Sequence, residues 1–444
     1  MRDYLQKTPD QIKTKITPVI IPRSAHSISR RLISRNALKV LYRLHEAGYS
    51  AYLVGGCVRD LLLGYEPKDF DVATDARPEE VRKLFKNCRL IGKRFRLAHI
   101  IFGAEIIEVA TFRTHHENAE ERDGKTLQGM IIRDNVYGSI EDDALRRDFR
   151  MNALYYNIAD FSVVDYLGGM QDIQSNELCM IGDPEKRFQE DPVRLLRAVR
   201  FAAKLNVTIS PETESCLIRL NYLVKNVSNG RLFQEILKVF QGGVALKTII
   251  LLQKYQIFTH LFPQTDSFIN HETTQKLIHI ALAHTDQRIA EQKTISPAFL
   301  LTVILWHPIC HEANHLQKTA GFPEHVSFER AIALIVKQQM QQLALPRVMQ
   351  VSISEIVMLQ HRLTHRRRAV VFRLLDRPRF RAAYDLLLLR AEAGEPVQEL
   401  ANWWTQFYDS SNEEREILLQ AVNQIRLSPP KKRRRRSKKD SQAL

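Results

Sequence analysis

Two aspartates flank a phenylalanine in Lys68-Asp69-Phe70-Asp71, and in an extended chain alternate side chains share a face. Asp69 and Asp71 would then point the same way, roughly 6–7 Å apart at Cα, while Phe70 turns into a core. Like charges that close repel unless a cation sits between them. A divalent metal, or a pair of metals, is one reading; an edge strand with a solvated acidic face is the other. Upstream, Gly55-Gly56 follow an apolar strand and open a helix. Such a turn lets a phosphate approach backbone N–H groups, and Arg59, one turn further on, would face the same anion. A phosphate cradle beside a metal site is the arrangement that nucleotidyl transfer requires. A third carboxylate should come from a neighbouring strand. Glu108, a lone acid among strand-formers in EIIEVATF, fits that place, with an outward-facing Glu on a half-solvated strand as the alternative. Asp69, Asp71 and Glu108 are thus the candidate metal ligands and catalytic carboxylates.

The surrounding pattern says what positions them. Residues 1–26 lack periodicity and read as a loosely held arm. Leu32, Ile33, Leu38, Leu41 and Leu44 recur at helical spacing. AYLVGG is a short strand, and CVRDLLLG a helix stopped by Gly64. Thr74 or Asp75 is expected to cap a helix with Pro78, Glu79 and Glu80 in its first turn. HIIFGAEIIEVATF reads as a hairpin about Gly103-Ala104, residues 114–134 as a polar mobile loop, and ALYYNIADFSVVDYLGG as further strands. The fold class expected is α+β. From about residue 185 to 425 the periodicity is almost wholly helical, and a Ser428-Pro429-Pro430 break precedes a disordered basic tail.

The chain of 444 residues holds 65 Lys and Arg against 50 Asp and Glu, a net +15. Residues 431–439 (KKRRRRSKK) supply eight of these cations, and the remainder is still +7, which favours a polyanionic partner. No apolar run approaches the roughly 20 residues of a membrane span. The N-terminus shows no secretion signal, and five scattered cysteines without C-x-x-C spacing read as reduced thiols in a cytoplasmic protein. His307, Cys310, His311 and His315 invite zinc, but Pro308 interrupts the run and the spacing fits no common structural site. Trp403-Trp404 could stack bases, though paired Trp in a helical region reads as core.

LVGGCVRDLLLG with DFDVAT, RRDFRMNALYY (146–156) and EDPVRLLRAVRFAAKL (190–205) together resemble the nucleotidyltransferase superfamily with a polymerase-β-like palm. More narrowly, they resemble the class II branch shared by tRNA CCA-adding enzymes and bacterial poly(A) polymerases. Arg150-Met151 depart from that branch, where Thr-Ile is more usual. The resemblance implies a palm built on a small mixed sheet (27–167), a helical neck for base recognition (168–240), a helical RNA-binding body (241–427) and the basic tail (428–444). It implies that Gly55, Gly56, Arg59, Arg147 and Asp148 bind the nucleotide's phosphates and sugar, with Asp148 in the catalytic set. Asp191, Arg194 and Arg197 would read the base edge; Asp191-Pro192 is equally a helix N-cap and first-turn pair.

The flanks favour the poly(A) polymerase side over the CCA-adding alternative. LIGKRFRLAHI (90–100), GRLFQEILKVF, FRAAYDLLLLRAEAG and the arginine-rich tail are similar to that subgroup. The activity implied is template-independent addition of AMP from ATP to RNA 3′ ends, with Mg²⁺ or Mn²⁺. Messenger RNA, small RNA and decay intermediates would be the partners, with an RNA chaperone or degradation machinery beside them and the chain a monomer. Lys93, Arg94, Arg366, Arg367, Arg433 and Arg434 are the RNA-backbone candidates.

Overall fold

The apolar spacing after residue 27 condenses into helix α1 (Arg35–Glu46), which buries Ala37, Val40, Leu41 and Leu44 on one face. Ser34 caps it by accepting from the backbone N–H groups of Asn36 and Ala37. The computed structural model describes residues 16–92, 96–114, 126–127, 130–131 and 136–427. These fall into two units, Met1–Arg231 with Lys247–His260, and Leu232–Leu246 with Leu261–Leu444.

The first unit is built on strands β1 (Val19–Ile21), β2 (Ala51–Val54), β3 (Asp71–Thr74), β4 (Cys88–Ile91), β5 (Leu97–Phe102) and β6 (Glu105–Thr111). A two-residue hairpin, β7 (Thr126–Leu127) and β8 (Met130–Ile131), comes next, then β9 (Leu154–Asn157) and β10 (Val163–Asp165). Eight of them form one sheet in the order β1-β10-β9-β2-β3-β6-β5-β4. Only β3 and β6 run parallel within it, with Asp71 opposite Glu108. Helix α2 (Gly56–Leu62) leads into β3; between β3 and β6 run α3 (Pro78–Leu84), β4 and β5, the crossover a parallel pair needs.

Strand alternation sorts the two faces. Leu53, Val72, Val109 and Tyr156 enter one core against α1, while Val54, Ala73 and Tyr155 enter the core on the opposite face. Asp71, His99 and Glu108 alternate with members of the first set and so belong to the second face.

Three local expectations change. β3 begins at Asp71, so Asp69 precedes the strand rather than lying in it; Phe70 still turns inward and is 7 % exposed. Arg77, not Thr74 or Asp75, is the N-cap of α3, its backbone N–H donating to Glu80 Oε2 at 2.7 Å. Thr74 is held inside β3, pairing with both Ala51 and Thr111. Residues 19–21, read as part of a loose arm, pair antiparallel with β10 as an edge strand.

After helix α5 (Gly169–Ser175), the described chain from Pro184 to Leu427 is mostly helical, apart from Thr208–Ile209, which pairs with Glu177–Leu178. In the second unit a 24-residue helix, Pro297–Ala320, runs through Pro308. Trp404 is fully buried and its Nε1–H donates to the Leu363 carbonyl at 2.9 Å, which makes it core. No described helix is long and apolar enough to cross a membrane, and all five cysteines are unbridged. Lys93, Arg94, most of 114–134 and the tail with Arg433 and Arg434 lie outside the described residues.

Candidate active site

The β3–β6 register brings two of the three candidate carboxylates side by side, and Asp69 joins them at the mouth of a cavity of about 580 Å³ that Asp71, His99, Glu105 and Glu108 also line. Burial, then the neighbouring charge of Glu108, with Asp69 adding to it and Arg147 opposing, pushes the Asp71 carboxyl up to about 6. A cation placed here would relieve that uncompensated charge, and an all-oxygen donor set suits Mg²⁺ or Mn²⁺. The residues therefore fit a divalent metal. They are not drawn into a ready cage: among the described residues no three His, Cys, Asp or Glu side chains are grouped to hold an ion. Glu108 is instead half-exposed, with Oε1 3.2 Å from His99 Nε2.

Beside the carboxylates stands Arg147. Ser139 starts helix α4 (Ile140–Arg146) with a capping box closed by Asp142, and this delivers Arg147 at the helix end. Its Nη2 donates to Asp143 Oδ2 at 2.9 Å and its Nε to the Tyr155 hydroxyl at 3.1 Å, while that hydroxyl donates to Asp143 at 2.8 Å. Burial disfavours the guanidinium charge, but Tyr155 and Asp143 more than restore it and hold its pKa above the ordinary arginine value. Its Nη1 would lie 3.3 Å from a Cβ at Gly55, whose φ of +79° strains any other residue. Gly55→Ala should therefore destabilise the fold by about 1–2 kcal/mol. By displacing Arg147 it should also lower nucleotide incorporation by about a hundredfold, read as single-turnover rate beside a denaturation midpoint.

Of the remaining sequence candidates, Asp148 and Arg197 pair with each other, while Asp191, Arg194 and Arg59 are held by other residues. Asp148, 9 % exposed, accepts from the Phe149 N–H at 2.8 Å, Asn152 Nδ2 at 3.1 Å and Arg197 Nε at 2.8 Å. Asp191 ends helix α6 (Pro184–Glu190) rather than capping α7 (Val193–Leu205), whose N-cap is Pro192. Both Asp191 oxygens accept from Arg231 at 2.8 Å. Arg194 reaches the Arg187 carbonyl at 2.7 Å and Glu190 at 3.1 Å. Arg59 is 2 % exposed and turned inward, donating to Asp60 at 2.6 and 2.9 Å and to Asn152 Oδ1 at 2.5 Å. It braces the glycine turn from behind, since a Cβ at Gly56 would meet its Nη2 at 3.5 Å.

Sequence reasoning passed over Arg187, Arg113 and Arg146. Burial, then Arg113, Arg147, Arg187 and Arg194, pulls the Arg146 guanidinium down to about 9, which marks a strongly positive interior. Arg187 Nη2 donates to the carbonyls of Arg146 and Arg147. Its signal was the i, i+3 and i, i+4 spacing of Arg187, Glu190 and Arg194.

Comparison with known proteins separates the two sides of the branch. Three family models match: the poly A polymerase head domain over residues 51–179, a probable RNA and SrmB-binding site of polymerase A over 206–269, and the polymerase A arginine-rich C-terminus over 320–440. Poly(A) polymerase I of Salmonella typhimurium is 48% identical over 428 residues, covering 94% of this chain and 91% of that protein. The chain belongs to the poly(A) polymerase I family. The CCA-adding enzyme of Bacillus subtilis is 38% identical over 237 residues, 53% of this chain and 58% of that one. Its likeness is thus confined to about half of each protein. A solved CCA-adding enzyme of Bacillus stearothermophilus, in complex with CTP, shares the fold at a TM-score of 0.56 and 25% identity, over 82% of this chain and 80% of its own.

In the helical region several arginines of the basic stretch 361–381 are matched with acids. Arg366 lies 3.3 Å from Glu399 and 5.8 Å over the Trp403 ring. Arg367 is exposed and starts the helix Arg368–Leu375. Arg368, Arg379 and Arg381 pair with Glu416, Glu355 and Asp385. Part of the charge of 361–381 is thereby neutralised.

Proposed function

We propose that the chain is a template-independent polynucleotide adenylyltransferase that extends RNA 3′ ends with AMP from ATP. The observation carrying this is the 48% identity to poly(A) polymerase I over 94% of this chain, against 38% over 53% for the CCA-adding enzyme. The RNA 3′-oxygen attacks the α-phosphate, the bond to pyrophosphate breaks, and the hydroxyl proton leaves to solvent. Asp69, Asp71 and Glu108 would hold Mg²⁺, with Mn²⁺ as the substitute. When bound, the metal supplies a lowered pKa for the attacking hydroxyl and charge for the phosphates.

The chain's own groups do the rest. Arg147, fixed by Asp143 and Tyr155, stands where the Gly55 turn leaves room for a phosphate. The arginine-rich interior around Arg146 supports a polyphosphate. Asp148 offers a carboxylate to ribose hydroxyls, and Arg197, which it holds, is the base-reading group. Arg194, bound to the Arg187 carbonyl, braces that helix end. The exposed Asp191–Arg231 pair reads more simply as a link between helices than as part of the base pocket. We assign nucleotide chemistry to 27–167, base selection to 168–240 and RNA holding to 241–427, in a cytoplasmic protein.

The deciding assay offers oligo(A) or a tRNA lacking its CCA end, each with ATP or CTP alone. Long ladders on oligo(A) with ATP and none with CTP are expected. Addition of two C and one A to the tRNA, then a stop, would overturn the reading.

A further inference from the structure

A second cavity, of about 820 Å³, opens on the other side of the sheet from the carboxylates. Its walls come from the turn at Arg23, the turn and helix start at Arg30, Arg31 and Arg35, Tyr42 of α1 and Tyr156 of β9. Tyr156 enters the core against α1, whereas its chain neighbour Tyr155 faces Asp143 and Arg147. Tyr156 thus lies on the opposite face of β9 from Tyr155, and on the opposite face of the sheet from Asp71 and Glu108.

All four arginines are exposed. Among the described residues no carboxylate lines the cavity and none of the four forms an ion pair. Arginines elsewhere on the surface, such as Arg368 and Arg381, are matched with acids. Two of the four are nevertheless held in place. Arg30 Nη1 donates to the Tyr42 hydroxyl at 3.0 Å and its guanidinium sits 4.4 Å over the Phe161 ring. Phe161 adopts φ of +62°, unusual for an aromatic, with its carbonyl 2.9 Å from His26 Nε2. Arg23 Nη1 donates to the His26 carbonyl at 2.9 Å.

Independently of the arginines, Tyr156 is fully buried and its hydroxyl has no hydrogen-bond partner among the described residues. Burial raises its pKa, the charges of Arg30 and Arg23 pull it back, and Tyr42 and the Asp160 carboxylate, which accepts from Ser162, add to the rise; the phenol thus sits among guanidinium groups that can only donate. What this corner lacks is an anionic acceptor. A phosphate oxygen supplies one and matches the planar fork of arginine.

We propose that the cavity is a second phosphate site, which grips the backbone of the bound RNA strand away from its 3′ end. This rests on the reading of the chain as an RNA-extending enzyme. The test uses the full chain without nucleotide and labelled A6 and A20 oligoribonucleotides over a salt series. Extension of A6 with ATP serves as a separate readout of the reaction centre. Arg30→Ser/Arg31→Ser should weaken A20 binding about tenfold and lower its salt slope by about 1.4, two phosphates on a single strand, with A6 extension unchanged. Arg30→Lys/Arg31→Lys keeps the charge but loses the fork and should still lose about fivefold on A20. Tyr156→Phe should lose about threefold.

Several outcomes overturn the proposal. Lysine variants that bind A20 like wild type would leave only diffuse surface charge. A loss confined to the binding of inorganic pyrophosphate would assign the cavity to a free polyphosphate rather than RNA. A loss of A6 extension alongside binding would make these arginines part of the reaction centre. Failure of wild type to extend A6 would instead sink the proposed activity and leave the binding comparison standing.

Discussion

Asp71→Asn should stabilise the protein and silence it. The carboxyl of Asp71 is raised from 3.8 to about 6, first by burial and then by Glu108, so its ionised form strains the fold. Removing that charge should raise unfolding stability at pH 7.5 in EDTA by about 1–3 kcal/mol. A group whose folded pKa is raised binds its proton more readily folded than unfolded. The variant's advantage is therefore complete above about pH 6 and fades as pH falls towards 4. Incorporation of AMP should drop by about three orders of magnitude or more, the several kcal/mol a displaced metal supplies. Magnesium should raise the unfolding midpoint of wild type and leave that of the variant unmoved. Urea melts across pH with and without Mg²⁺, beside single-turnover extension, check every part. A variant that keeps its activity, or that loses stability, would sink the assignment of Asp71 to the metal.

The carboxylate pair was legible in the sequence because strand periodicity and one lone acid suffice. Phe70 points inward as alternation requires, and Glu108 meets Asp71 across the parallel pair. The hairpin at Gly103 and the stop at Gly64 were legible for the same local reason, since both glycines hold positive φ. The partners of the arginines were not. Arg59 looks like a first-turn phosphate ligand until the packing of Asn152 and Asp60 shows where its guanidinium goes. Arg187 sits in PEKRFQE, a pattern that reads as surface helix, yet it is 6 % exposed because α6 closes over the end of α4. The Arg59–Asn152 and Arg187–Arg147 pairings join residues 93 and 40 apart, and no local propensity encodes them. Asn152 was the available clue: four residues after Asp148, on the same turn, it donates to that carboxylate.

The pair of buried Asp148 and partly exposed Arg197 should be the most fragile point of the site. Burial alone would push the Asp148 carboxyl up; the Arg197 charge, Asn152 and the Phe149 N–H overcome it and hold the pKa well below the ordinary carboxylate range. Arg197→Ala would leave that carboxylate buried with two neutral donors and should cost about 3–5 kcal/mol. In wild type the pair's contribution is present above the unfolded carboxylate value and lost as pH falls through the lower folded one. The gap between wild type and Arg197→Ala should accordingly narrow on acidification. Asp148→Asn/Arg197→Met removes both charges together and should regain most of the lost stability, because no charge is left buried and unpaired and the amide oxygen still accepts from Phe149 and Asn152. Activity should not return with it. If Arg197 reads the base, the stable double variant will incorporate AMP slowly and prefer ATP over CTP, GTP and UTP far less than wild type does. A double variant that is stable, slow and still selective for ATP would show that the pair positions the helix and that another group reads the base.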